Sequence, residues 1–477
     1  MKNIFKMTGF CLLLVVILWK TDRIFEVKYG DGIYGMTKFY DLEDHTVDTL
    51  VLGSSHAFED INTGVLWEDY GIAAYVLGGS IQPMWNTYYY LKEALKTQRP
   101  ELIVLEAYCT VFDSDYIDDS RIIKNTFAMK WSKNKVDAMK TSVPQERWAE
   151  FFLSYIQYHT RYTELSKEDF LKNKGDVRYE NWKGFGCNMA TTAFPAPNVE
   201  NVTERKPMSE KTEKYYRKTI ELALEHNIPV LVALSPYAGI AESEQAVFLT
   251  AGDIAKEYGL NFINYNLLYD TIGIDFSQDA ADPAHLNYRG NQKYTAALGK
   301  YIKQHYKVSD RRGNPSYGSW DADAEYIAAA IRNQEFRETA AAGELAEKMQ
   351  NRNYRLYVSV DDECKANEQN LPELFEGLQL PYVKDSSFWA VEDANHITYA
   401  GKMDEDALHQ RMDHHDLYIT RRFDEDSQSY VQTVTLDRTV YRKVDGGVNI
   451  LVYDTVTQSV VDCFGIQAES FHGEVIR

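Results

Sequence analysis

Cysteine is scarce in this chain. Five are scattered over 477 residues, and none stands at the Cys-x-x-Cys spacing that holds zinc. Cys364 and Cys463 share the C-terminal region and would bridge if oxidised, or remain as buried free thiols; the count alone does not fix the compartment. His414 and His415 are adjacent, but neighbouring side chains point apart and no third ligand accompanies them. No metal and no cofactor are therefore expected. Basic charge is also in deficit, with 51 Lys and Arg against 71 Asp and Glu, a net charge of −20. Nucleic-acid binding is excluded, because phosphates call for clustered Lys and Arg. The acidity reads as solubility. Long apolar runs are lacking except at 7–19, between Lys2 and Lys6 on one side and Lys20 and Arg23 on the other. That run is short for a membrane span, which takes about 20 residues. It is also followed by no small-x-small cleavage site, since Trp19-Lys20-Thr21-Asp22-Arg23 is bulky and charged. An uncleaved signal anchor is favoured over a cleaved signal, and basic residues at both ends leave its orientation open.

What remains is globular. Apolar residues make up 44% and charged residues 26%, and the length suits about two or three domains. The stretch 47–60 carries the clearest chemistry. A β-branched apolar run at 47–52 reads as a buried strand, stops at Gly53, and passes through Ser54 and Ser55 into a helical segment. A serine at the carboxyl end of a strand, on a turn into a helix, is a common position for a nucleophile, because the first helical N–H groups face developing negative charge. Serine needs a positioned base. Asp282-Pro283-Ala284-His285 offers one, in a loop before a second helix.

Gly53-Ser54-Ser55 and Asp282-x-x-His285, in that order, resemble the first and last blocks of the SGNH (GDSL-like) hydrolase superfamily, over about 47–306. The glycine-serine-serine form resembles the membrane-anchored, extracytoplasmic branch that modifies cell-surface polymers, the DltD-like and alginate-acetylation-like proteins. The resemblance implies a flavodoxin-like three-layer α/β fold around a parallel sheet. It also implies Ser55 as nucleophile, His285 as base and Asp282 as its orienting carboxylate, with the main domains outside the cell. Ser54 falls where the family has Asp, and His56 reads as a packing neighbour. For the oxyanion hole it implies the Ser55 N–H and an N–H near the end of the second strand, for which Gly79 is taken. The family's third block, Gly-x-Asn-Asp, is absent: Glu106-Ala107-Tyr108-Cys109 stands there, leaving Gln82, Asn86 or Tyr108 as substitute donors. The implied activity is O-acylation, most simply acetylation, of a surface polysaccharide, with a membrane-bound O-acyltransferase as acyl donor. A deacetylating esterase and a non-catalytic glycan-binding protein are the alternatives.

Along the chain, strands are expected at 47–52, 73–77, 101–108, 229–235 and 260–265, alternating with helices at 83–98, 209–226, 241–258 and 290–306. The rhythm breaks at 113–207, an aromatic and charged insertion, helical near 145–162 and looped at 184–197. It is read as a lid or groove wall, or equally as a structural helical layer. The expected organisation is an anchor at 1–22, a catalytic domain at 23–308, a linker and helix at 309–350, and a mixed α/β accessory domain at 351–477, with the polar, Gly-, Pro- and Ser-bearing stretch 308–320 as the linker candidate. Within the last, 354–361, 387–392 and 446–462 resemble parts of the interleukin-like EMT-inducer domain, which implies a polymer-contacting module; a packing or dimerisation module is the alternative.

Overall fold

A computed structural model describes residues 2–152, 154–177, 179–362, 364, 370–393, 395–401, 408–412, 414–425, 428–467 and 475–477. The chain divides into two compact units, Met1–Ala324 and Glu325–Arg477.

Five short strands make the parallel sheet of the first unit: β1 (Thr49–Gly53), β2 (Ala74–Gly78), β3 (Leu102–Glu106), β4 (Val230–Leu234) and β5 (Asn261–Asn264), in the order β2-β1-β3-β4-β5. Every residue of β1 to β4 is buried, as continuous apolar runs require when helices cover both faces. Leu50 and Leu52 pack with Trp85, Tyr216 and Phe248, from the helices Met84–Ala94, Glu210–Glu225 and Glu242–Glu257. Val51 points the other way, to Leu66, Leu298 and Ile302 on the helices Thr63–Tyr70 and Tyr288–His305. The strand order reverses between β1 and β3, and the crevice beyond their carboxyl ends is where α/β sheets place ligands.

The insertion is a layer of short helices, Asp119–Thr126, Lys133–Ser142, Trp148–Phe151, Ser154–Tyr158 and Lys167–Leu171, followed by an irregular stretch. Ile122, Phe127, Met139 and Phe151 give it a small core of its own, to which Phe25 and Val27 add. At its N-terminal side the unit carries one helix, Lys2–Phe25, long and apolar enough to be a membrane anchor or a signal sequence and unburied over its apolar length.

The polar stretch 308–320, expected to be a linker, is tied into this unit. Arg311 grips Asp48 at 2.8 and 2.9 Å, Ser309 bonds Glu101, and the buried Trp320 indole donates to the Ala74 carbonyl. The helix expected beyond it forms as two, Gly318–Glu338 and Ala342–Met349.

The second unit packs two antiparallel sheets. One runs β14-β13-β6-β7-β8, formed by β6 (Tyr354–Val360), β7 (Phe388–Glu392), β8 (His396–Gly401), β13 (Gly447–Asp454) and β14 (Ser459–Gln467). The other runs β12-β11-β10-β9, from β9 (Leu408–Met412), β10 (His415–Asp424), β11 (Ser429–Leu436) and β12 (Thr439–Tyr441). Its core centres on Phe336, Val358, Trp389 and Phe464. Cys364 and Cys463 are both buried.

Candidate active site

The turn after β1 is held by close backbone approach. A Cβ on Gly53 would lie 2.8 Å from the Glu106 Cβ and 2.9 Å from the Ala57 Cβ. A Cβ on Gly78, the register partner of Gly53, would lie 3.0 and 3.1 Å from the Gly53 and Ser54 carbonyl oxygens. The chain must therefore turn sharply, with Ser54 flanking and Ser55 opening the helix Ser55–Asp60. Ser54 is fully buried, whereas Ser55 is half-buried and faces out.

The second element of the site is a tight loop closed by Ala281 N–H to His285 O, 3.0 Å, and by the bridge Ala280↔Leu286. Asn287 then caps the helix Tyr288–His305 through the Arg289 and Gly290 N–H groups. Leu286 N–H donates to Asp60 Oδ1 at 2.9 Å, which stitches this loop to the Ser55 helix. The irregular part of the insertion laces the two together. Gly186 N–H donates to Phe58 O, Tyr288 N–H to Asn188 O, and Thr192 N–H to Ala280 O. Its neighbour Lys183 accepts from Val76 N–H and covers the open edge of β2.

These elements bring Ser55, His285 and Asp282 into one line. His285 Nε2 lies 2.8 Å from Ser55 Oγ, and His285 Nδ1 lies 2.9 and 3.0 Å from the Asp282 oxygens. Asp282 Oδ1 also accepts the Ala284 and His285 N–H groups, so the carboxylate is fixed by its own loop. Burial pushes the Asp282 carboxyl up, but the bonds from the His285 ring and these N–H groups outweigh it and leave it below the usual range. Ser54, the competing serine, is sealed behind the turn. A second carboxylate, Glu59, approaches His285 Nδ1 at 4.0 Å and accepts from Asn188. Its proton affinity is raised by burial, against the pull of His285. Glu59 was not singled out in the sequence, although it stands four residues after Ser55 and so on the same helical face. Beside it opens a groove of about 690 Å³ lined by Tyr29, Tyr179, Glu180 and Asn188.

Beneath the nucleophile lies a buried polar layer. His56 stacks on Tyr108 at 3.8 Å and meets Tyr237 edge-on, and burial holds its imidazole well below the usual pKa, so it is neutral. Glu106, at the end of β3, accepts the Tyr108 N–H and is pushed by burial up to about 8, so it carries a proton at neutral pH.

Gly79 follows β2, whose last residue Gly78 pairs with Gly53, and a Cβ on Gly79 would meet Asn125 Oδ1 at 2.4 Å. Of the substitute donors, Gln82 donates its amide to Thr87 Oγ1, and the Tyr108 ring covers His56. Asn86 accepts from Ser142, while its buried Nδ2 meets no acceptor among the described residues.

No family model and no curated protein matches the chain. Among solved structures, a protein of Bacteroides fragilis described as an acylhydrolase is 11% identical, with 56% of this chain and 94% of its own covered and a TM-score of 0.28. A gut microbial diltiazem-metabolizing enzyme is 13% identical, with 55% and 47% covered and a TM-score of 0.21. The functional reading therefore rests on the geometry of the site.

Proposed function

We propose that this chain is a membrane-anchored, extracytoplasmic serine O-acyltransferase of the SGNH type. It moves an acyl group, most simply acetyl, onto a cell-surface polysaccharide or related polymer through an acyl-Ser55 intermediate. The observation that carries this reading is the Ser55–His285–Asp282 line, with contacts of 2.8 and 2.9 Å. The strand order with the nucleophile at the reversal point supports an SGNH-type sheet.

In this mechanism Ser55 Oγ bonds to the acyl carbon as His285 Nε2 takes its proton, and Asp282 stabilises the imidazolium through Nδ1–H. The Ser55 and Gly79 N–H groups are assigned to the oxyanion. His285 then gives its proton to the leaving group, and the acyl group stays on Ser55. In the second half-reaction His285 takes a proton from an acceptor hydroxyl as its oxygen bonds to the acyl carbon, and returns that proton to Ser55 Oγ as the bond to Ser55 breaks. The groove beside Glu59, with Tyr29 and Tyr179 in its wall, suits a sugar acceptor. The donor would be a membrane-bound O-acyltransferase. The His285 side chain is 17% exposed, so water also reaches the base, and this favours an esterase as the second reading.

The test incubates the protein with a chromogenic acetyl ester, with and without oligosaccharide acceptors, and follows hydrolysis and sugar acetylation by mass spectrometry. Acceptor-dependent acetylation supports the transferase. Hydrolysis alone moves the assignment to an esterase. A folded protein that forms no acyl-enzyme even with activated esters overturns both and leaves the glycan-binding reading.

A further inference from the structure

The N-terminal helix is long and apolar enough over Ile4–Phe25 to cross a membrane. Those 22 residues rise about 33 Å along a helix, which matches a bilayer core about 30 Å thick. The helix continues to Phe25, and its last turn is packed on the insertion rather than free. Tyr155 N–H donates to Asp22 Oδ1, the Arg161 guanidinium donates to the Phe25 carbonyl at 2.5 Å, and the Phe25 and Tyr155 rings meet edge-on at 5.2 Å. Glu26 pairs with Lys174 at 3.1 Å just beyond.

The segments that grip this last turn expose apolar side chains to an unusual degree. Tyr162 is 71% exposed, Leu171 64% and Phe170 58%, and Tyr155 and Ile156 are exposed beside them. Scattered surface apolar residues need no explanation, but a cluster at one place marks an interaction surface. Here the cluster is continuous with the apolar helix, at the level where Lys20 and Arg23 mark the end of the span. Lys167 and Lys172 are exposed among these residues, as are Glu164 and Glu168, giving the mixed polar and aromatic character of a membrane–water interface.

We propose that 155–171 is a collar that lies in the lipid interface, with Tyr162, Phe170 and Leu171 inserted among the headgroups and upper acyl chains. The collar continues the apolar surface at the foot of the helix into the interface. It also fixes the height of the first unit above the bilayer, so that the Ser55 site is held at a constant distance from the membrane. This rests on the anchor reading given above.

The test uses the full chain in phosphatidylcholine vesicles containing lipids spin-labelled near the headgroup end of the acyl chain. A fluorophore is placed on one cysteine at a time. The anchor reporter is native Cys11 in a Cys187→Ser chain. Collar reporters are Tyr162→Cys and Phe170→Cys in a Cys11→Ser/Cys187→Ser chain, and Leu224→Cys in the same chain is the control on a distant exposed helix. Circular dichroism establishes that each variant folds. Quenching of about two-fold at 162 and 170, with none at 224, is expected for side chains lying in the interface. Quenching at Cys11 but not at 162 or 170 overturns the collar while the anchor stands, and leaves these residues to a protein partner. No quenching at Cys11 overturns the anchor reading and the collar with it.

Discussion

At the scale of single residues, the site separates two adjacent serines by where they face. Ser55 meets His285 at 2.8 Å, while Ser54 is sealed inside the turn. Ser55→Ala and His285→Ala should reduce ester hydrolysis to background, and Asp282→Asn should lower kcat by about 10²–10⁴ through loss of imidazole orientation. Ser54→Ala should stay within several-fold of wild type. A Ser54→Ala protein as inactive as Ser55→Ala would remove Ser55 from its assigned role. Glu106 offers a different reading of the same turn. Its folded pKa of about 8 lies above the ordinary value, so the folded state holds a proton that the unfolded chain releases from about pH 4.5 upward. Stability is thus lost as pH rises toward 8. His56 is opposite in sign, because its depressed pKa gives stability that rises with pH up to about 6.5. Between pH 6.5 and 8 the His56 contribution is level. Glu106→Gln keeps an oxygen for the Tyr108 N–H and has no proton to lose. Its unfolding free energy should therefore fall less than wild type over that window, by about 1–2 kcal/mol. Equal slopes in denaturant titrations at the two pH values would refute this.

At the scale of elements, the strand–turn–helix that presents Ser55 depends on glycines whose need comes from neighbours rather than from the turn alone. Gly53→Ala places a methyl group inside contact distance of Glu106 Cβ and Ala57 Cβ, and neither atom is the far end of a flexible chain. The substitution should cost about 1–3 kcal/mol in unfolding free energy. It should cost more in turnover than in stability, because the displaced helix carries Ser55. Unchanged denaturant midpoint and activity would show that the turn has slack. The α/β rhythm around it was legible because each strand is a short apolar run between helical periods, and fully buried strands have no other pattern. The pair Asp282 and His285 was legible because both lie in one loop with a fixed local spacing. The roles of Glu59 and Glu106 were not, because their significance comes from what folds over them: the loop at 188, and the turn at 53. Likewise 308–320 read as a linker because Arg311 and Ser309 are polar. Their partners Asp48 and Glu101 lie far back in the sequence, and no local pattern reports such a pairing.

At the scale of the whole molecule, the candidate chemistry belongs to one unit. Ser55, Asp282 and His285 all lie in Met1–Ala324. The hydrophobic clusters respect the same division. Trp85, Tyr216 and Trp320 belong to the core around the parallel sheet, whereas Phe336, Trp389 and Phe464 belong to the core of the antiparallel unit. Each core is a cooperative unit of its own, and a chain with two of them departs from a single two-state transition. Trp389→Ala removes a fully buried side chain and should destabilise the second unit by about 3–5 kcal/mol. In scanning calorimetry it should lower one transition and leave the other in place, with ester hydrolysis at 25 °C unchanged. Trp85→Ala should shift the other transition and depress hydrolysis as the helix Met84–Ala94 loosens behind β1. If Trp389→Ala instead lowered a single transition covering the whole chain, or removed activity while the first unit stayed folded, the second unit would be part of the catalytic assembly. Its role would then be sought in the reaction rather than in contact with the polymer.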